Sequence, residues 1–282
     1  TLGPDELMAT TGWSEAILFA LFACANEGDD ALVVEPFYTN YNAFATLAGV
    51  RLVPLTARAE DGFHLPAREA WERALTPRTR LVLLCNPNNP TGTVYTGDEL
   101  ASVAAFCRDH GLFLISDEVY REFVYDGRRA VSALTLPGCE DLVVVVDSLS
   151  KRYSACGIRL GSLATRNRDL FGACVRMAQG RLSAPGLAQV VATAAAELGP
   201  DVPAGRMGVR GGPGLERRGR PVISVVIPLQ DEQQSVPLLH ARPAPAHEPL
   251  GRPGEPLLAA HAPSLESALL AATMATASPR FS

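Results

Sequence analysis

The sequence predicts an α/β protein, a mostly parallel sheet with helices on both faces, and three observations carry that reading. Up to about residue 199, short apolar runs alternate with longer segments of helical periodicity. The runs are apolar throughout instead of at every second residue, as strands covered on both sides require. Polar or Gly/Pro-rich clusters follow the runs, and in open parallel sheets ligands bind at those carboxyl ends.

Taken in order, a first helix is expected over residues 14–24, where Ile17, Leu18, Leu21 and Phe22 share one face. Strands are expected at residues 31–34, 81–85, 112–115 and 142–146. A second helix is expected over 98–110, with Leu100, Val103, Ala104 and Phe106 on one side, Asp98 at its start and Gly111 as its stop. After residue 198 the composition changes. Residues 200–282 hold 13 of the 22 prolines and one of the 18 aromatic residues, Phe281. Such a segment buries too little apolar surface to offset its ordering entropy. The expected organisation is therefore a domain over 1–199 and a poorly ordered, Pro/Gly/Ala-rich tail over 200–282, with a strand at 221–229 and a helix at 264–275 within it.

Composition narrows the function. A net charge of -5 gives no broad electrostatic attraction to nucleic acid or an anionic membrane, so neither is an expected partner. No apolar run is long enough to span a membrane and the first residues lack the pattern of a signal peptide, so the expected setting is cytoplasmic. The six cysteines, Cys24, Cys85, Cys107, Cys139, Cys156 and Cys174, lie at no metal-ligand spacing and read as small buried hydrophobes; no metal is expected. Every basic residue is arginine except Lys151, so chemistry that needs a side-chain primary amine has one candidate.

The polar clusters are Asn86-Pro87-Asn88-Asn89-Pro90-Thr91-Gly92, Ser116-Asp117-Glu118-Val119-Tyr120 and Asp147-Ser148-Leu149-Ser150-Lys151. The last, followed by Arg159-Leu160-Gly161, resembles the lysine signature of the class I and II pyridoxal-phosphate-dependent aminotransferases of fold type I. The two upstream clusters match the same family in order and spacing. The resemblance covers roughly residues 5–195 and is nearest to enzymes of the aspartate or broad-specificity type. It implies the large domain of that fold, pyridoxal 5'-phosphate as cofactor, an amino acid and a 2-oxo acid as substrates, and a homodimer.

The resemblance also assigns residues. Lys151 is the Schiff-base lysine, which is displaced by the substrate amine and then moves a proton. Asp117 faces the pyridine nitrogen and keeps its proton, while Tyr120 and Asn89 donate to the ring oxygen. Gly12, Trp13 and Ser14 at the start of the first helix offer free N–H groups to the phosphate, helped by Arg159 and the Ser148 hydroxyl. Tyr38 matches the position whose ring stacks on the cofactor, and Glu118 is left a structural role. Plainer alternatives exist for most of these: a helix cap for Asp117, a core aromatic for Tyr38, turn residues for Tyr120 and Asn89, and an ordinary helix start for 12–14.

Relative to family members, the chain reads as truncated at both ends, without the N-terminal arm or the small-domain arginine that clamps the substrate carboxylate. Residues 217–257 resemble the opening of a family 2 glycosyltransferase, yet the nucleotide-binding carboxylates that should follow are absent. The expected function is amino-group transfer. The alternatives are an inactive remnant or fusion product that at most binds the cofactor, and a carbon–sulfur lyase on the same scaffold.

Overall fold

The structure, a computed structural model, describes residues 2–197. The expected tail, with its strand at 221–229 and helix at 264–275, lies outside the described residues. Strands β1 (Leu7–Thr10), β2 (Asp30–Glu35), β3 (Arg51–Thr56), β4 (Thr79–Cys85), β5 (Phe113–Asp117), β6 (Val143–Ser148) and β7 (Gly161–Thr165) form one sheet. Its order is β1-β7-β6-β5-β4-β2-β3. The five strands from β3 to β6 run parallel, and β7 is antiparallel to both β6 and β1. The helices are α1 (Gly12–Cys24), α2 (Asn40–Leu47), α3 (Arg68–Ala74), α4 (Gly97–His110), α5 (Leu149–Arg152), α6 (Arg168–Gly180) and α7 (Gly186–Glu197).

The continuous apolarity of the central strands has a direct structural counterpart. Successive residues of a strand point to opposite faces. Ala31, Val33, Leu81, Leu83, Ile115, Val144 and Val146 pack with α1, α2 and α6 on one side. Their neighbours Leu32, Val34, Val82, Leu84, Leu114, Val143 and Val145 pack with Trp71 of α3 and the apolar face of α4 on the other. Each valine, leucine or isoleucine among them contributes about 1.5–3 kcal/mol when removed from water, so both faces of the sheet have to be covered.

The expected elements appear with small shifts. Helix α4 starts one residue early, because Thr96, not Asp98, caps it: the Thr96 hydroxyl accepts from the Glu99 N–H, and the Glu99 carboxylate accepts from the Thr96 N–H. Gly111 ends it in the left-handed conformation. Five of the six cysteines are buried as expected, whereas Cys156 is exposed, because it opens a 3-10 turn (Cys156–Ile158) after α5 in which no residue is buried.

Registers bring the functional clusters to one edge. Cys85 pairs with Asp117, and Asp117 with Val146, so β4, β5 and β6 end side by side. The antiparallel β7 begins at that same edge, where Gly161 sits between Ser148 of β6 and Thr10 of β1. Chain leaving β1 there turns straight into α1.

Candidate active site

The start of α1 gathers donors of the kind an anion needs. Thr11 offers no side-chain cap, so first-turn N–H groups remain available among the described residues. Gly12 has a φ of 72°, and a Cβ added to it would lie 2.3 Å from Nη2 of Arg159. The guanidinium therefore passes over the helix start through space that only glycine leaves. Arg159 is itself fixed by its left-handed backbone and by donation from Nη1 to the Cys156 carbonyl at 2.9 Å. Helix dipole and cation act together at this point.

Beside this cradle stands Asp117, only 2% exposed at the end of β5. One of its oxygens accepts from the Tyr41 hydroxyl at 2.8 Å and the other from the Val119 N–H at 3.2 Å. Burial is the main influence on its acidity and pushes the pKa up to about 7, against the lowering effect of the Tyr41 and Val119 bonds. An aromatic wall lies next to it. The Trp13 ring is 5.7 Å from Tyr38, 5.8 Å from Tyr41 and 5.3 Å from Phe44. Tyr38 meets Tyr41 edge-on at 5.8 Å, and its hydroxyl accepts from the Asn40 amide.

This arrangement makes the pH dependence of stability testable. Between about pH 4 and 7 the folded Asp117 holds a proton that the unfolded chain has released. Stability is therefore expected to fall as pH rises through that window, by about 4 kcal/mol once the carboxylate is charged in both states. Urea unfolding from pH 4 to 8 should show this slope in the parent chain and a flatter curve in Asp117→Asn; parallel curves would count against it.

Lys151 sits in α5, a single turn capped by Ser148, whose hydroxyl accepts from the Ser150 N–H at 3.1 Å. The same hydroxyl is 2% exposed as part of Ser148 and donates to the Leu160 carbonyl at 3.1 Å, so serving an anion would require exchange of that bond. The Lys151 amine lies 5.9 Å from the centre of the Tyr120 ring. The Tyr120 phenol is pushed well above its ordinary pKa, chiefly by burial and further by Cys85, Asp117 and Tyr38 nearby, which places these groups in one neighbourhood. In the loop after β4, Asn86 and Asn88 spend their side chains internally: Asn86 accepts from the Tyr95 N–H, and Asn88 from the Thr91 N–H and hydroxyl. Asn89 is half-buried and makes no side-chain hydrogen bond among the described residues. Glu118 accepts from Ser116, Ser132 and the Ala133 N–H, a structural role that ties the 132–135 segment to β5.

The sequence of clusters and the fold they share have counterparts in known proteins. The family profile described as "Aminotransferase class I and II" matches residues 1–202. The chain belongs to the class I and II aminotransferases. It is 36% identical over 191 residues to the putative aminotransferase YugH of Bacillus subtilis, covering 67% of this chain and 49% of that one. It is 38% identical over 157 residues to the arginine–pyruvate transaminase AruH of Pseudomonas aeruginosa, covering 55% and 39%. The solved aspartate aminotransferase of Thermus thermophilus with maleate superimposes with a TM-score of 0.67 at 27% identity, covering 74% of this chain and 53% of that one. The chain thus spans about half or less of the length of these class I and II aminotransferases.

Within this aminotransferase chain, sequence reasoning missed Tyr41. The one signal was its spacing, three residues after Tyr38; in the structure it lies in the first turn of α2, its N–H bonded back to the Tyr38 carbonyl at 3.0 Å. Sequence reasoning also left open where the Trp13 indole points; the ring joins the aromatic wall, and its buried N–H, without full hydrogen-bond geometry to any described residue, lies near enough to Asp117 to lower that carboxyl's pKa. Those residues contain no group of three or more side chains suited to hold a metal, and no helix long and apolar enough to cross a membrane.

Proposed function

We propose that the chain binds pyridoxal 5'-phosphate and transfers an amino group between an amino acid and a 2-oxo acid, with Lys151 as the catalytic amine. The observation that carries this is the convergence of the sequence's only lysine with an anion cradle and a buried carboxylate at one sheet edge. The donor set fits the cofactor. A phosphate matches the α1 N–H groups of Gly12, Trp13 and Ser14 with Arg159 above them, and Ser148 would join by exchanging its bond to Leu160. Asp117, held near neutrality by burial, suits a partner that brings positive charge, as a protonated pyridine nitrogen does. Tyr120 and Asn89 would donate to the ring oxygen, and Tyr38 would cover one ring face.

When bound, pyridoxal phosphate supplies an aldehyde and a cationic ring that accepts electrons from the substrate α-carbon. The protein's own task is narrower. Lys151 would take a proton from the substrate α-carbon and hold it on Nζ, which requires a free amine held within reach. Asp117 would face the ring nitrogen as a carboxylate that favours its protonated form, and Tyr41 holds that carboxylate in place. The relatives cited above are named for amino transfer, which favours that reaction over elimination at a carbon–sulfur bond. The same reading takes 1–199 as the cofactor domain, 200–282 as a separate segment, and the assembly as a cytoplasmic homodimer.

The test is an absorbance titration of the purified chain with pyridoxal phosphate, followed by borohydride reduction and peptide mass mapping. A phosphopyridoxyl group on Lys151 is expected. A folded chain that forms no such adduct would overturn the proposal.

A further inference from the structure

The residue after Lys151 and the two residues after Tyr120 form a charge cluster with Asp147 that makes no hydrogen bond with the cradle or with Asp117, although the Asp147 charge is felt at Asp117. Arg152 donates a hydrogen bond from Nη2 to Oδ2 of Asp147 at 2.6 Å, and its Nε lies 3.3 Å from Oε1 of the more exposed Glu122, an ion contact without hydrogen-bond geometry. Arg121 lies 3.6 Å from the same Asp147 oxygen and 3.5 Å from the same Glu122 oxygen. The other Asp147 oxygen accepts from the Ser148 N–H at 2.7 Å. The cluster therefore joins the end of β6, the one-turn α5 and the turn that carries Tyr120.

A single helical turn does not hold itself, because nucleation fixes several dihedrals for one hydrogen bond. For α5 that bond runs from the Tyr153 N–H to the Leu149 carbonyl. Its order comes from outside the turn: the Ser148 cap, the Leu149 N–H bonded to the Leu160 carbonyl with the Leu149 side chain packed against Leu160, Ala184 and Ala188, and Arg152 at the far end. The Arg152 and Asp147 side chains are only 17% and 11% exposed, so the pair is shielded from the screening that makes surface pairs weak. A planar guanidinium reaches two carboxylates at once, which a lysine cannot.

We propose that Arg152 is a positioning residue for Lys151: by bridging Asp147 and Glu122 it locks the turn that carries the amine onto the turn that carries Tyr120. The inference rests on the cofactor reading above. The test compares two cofactor forms on the full chain. Pyridoxal phosphate is captured through Lys151, whereas pyridoxamine phosphate needs the cradle and Asp117 but no bond to the lysine. In Arg152→Met, pyridoxal phosphate is expected to bind about tenfold weaker or worse, while pyridoxamine phosphate changes by less than about twofold. Arg152→Lys should recover part of the loss. Glu122→Gln, which removes one arm and leaves the Asp147 pair, should show the same selective loss at about threefold, and it decides the matter if Arg152→Met fails to fold. Equal losses for both forms, or no loss for either, would overturn the proposal. Parent chain that binds pyridoxamine phosphate separates this outcome from failure of the cofactor reading, in which neither form binds and the Arg152 role falls with it.

Discussion

A Lys151→Ala chain loaded with pyridoxamine phosphate is expected to bind the cofactor while losing proton transfer by about a thousandfold or more, the usual scale for a positioned acid/base group. The binding should survive because the groups that fit the phosphate and the ring nitrogen, Gly12, Arg159 and Asp117, do not touch the lysine in the contacts described. The rate should not, because the sequence has no second lysine to substitute. Borohydride reduction of the pyridoxal form should likewise leave no side-chain adduct. Single-turnover absorbance changes on adding a 2-oxo acid would measure the rate. If Arg152 acts only through Lys151, adding Arg152→Met to Lys151→Ala should cost nothing further in that rate. Retention of the parent rate within tenfold in Lys151→Ala would remove the lysine from the mechanism.

What the sequence made legible divides along physical lines. The parallel strands could be read because burial on both faces leaves no polar position, so 81–85 and 142–146 stand out as unbroken apolar runs. The polar clusters that end them are equally legible, since a strand end is where side chains leave the core. The outer strands were not. At the two edges β1 is four residues long and β3 carries Pro54 and is largely exposed, and β7, beside β1, is short and opens on a glycine, so none stands out as an unbroken apolar run. The short helices α2, α3 and α5 offer too few turns for periodicity to appear.

The site shows the same split. Lys151, Asp117 and Arg159 belong to local motifs, and a motif can be read without knowing the fold. Tyr41 could not be read in this way, because its meaning lies in a hydrogen bond to a residue 76 positions away. The clamp of Arg121, Glu122, Asp147 and Arg152 is likewise a product of the β5–β6 register, which brings together charges that in sequence look like solvated surface. Cys156 was misread for the converse reason: composition favours burial of cysteine, while the loop after α5 happens to leave this one in solvent.

Gly161→Ala is expected to have the largest effect on the fold that positions the site. A Cβ there would lie 2.5 Å from the Gly12 carbonyl carbon, 2.7 Å from its oxygen and 2.7 Å from the Trp13 nitrogen. All three are backbone atoms, so no side chain can swing aside. The sheet edge and the first turn of α1 must separate instead. Overpacking against yielding side chains costs about 1–3 kcal/mol, and a rigid contact should reach the top of that range or exceed it. For a domain near 200 residues, about 3 kcal/mol corresponds to a fall of about 6–12 °C in Tm. The same displacement would move the α1 N–H groups away from Arg159, so phosphate-dependent cofactor affinity should fall with stability, whereas a surface change of equal destabilisation would leave affinity intact. Calorimetry and absorbance titration of Gly161→Ala read the two effects separately. A Tm within about 2 °C of the parent's would show that β7 and α1 do not make the close approach on which the anion cradle depends.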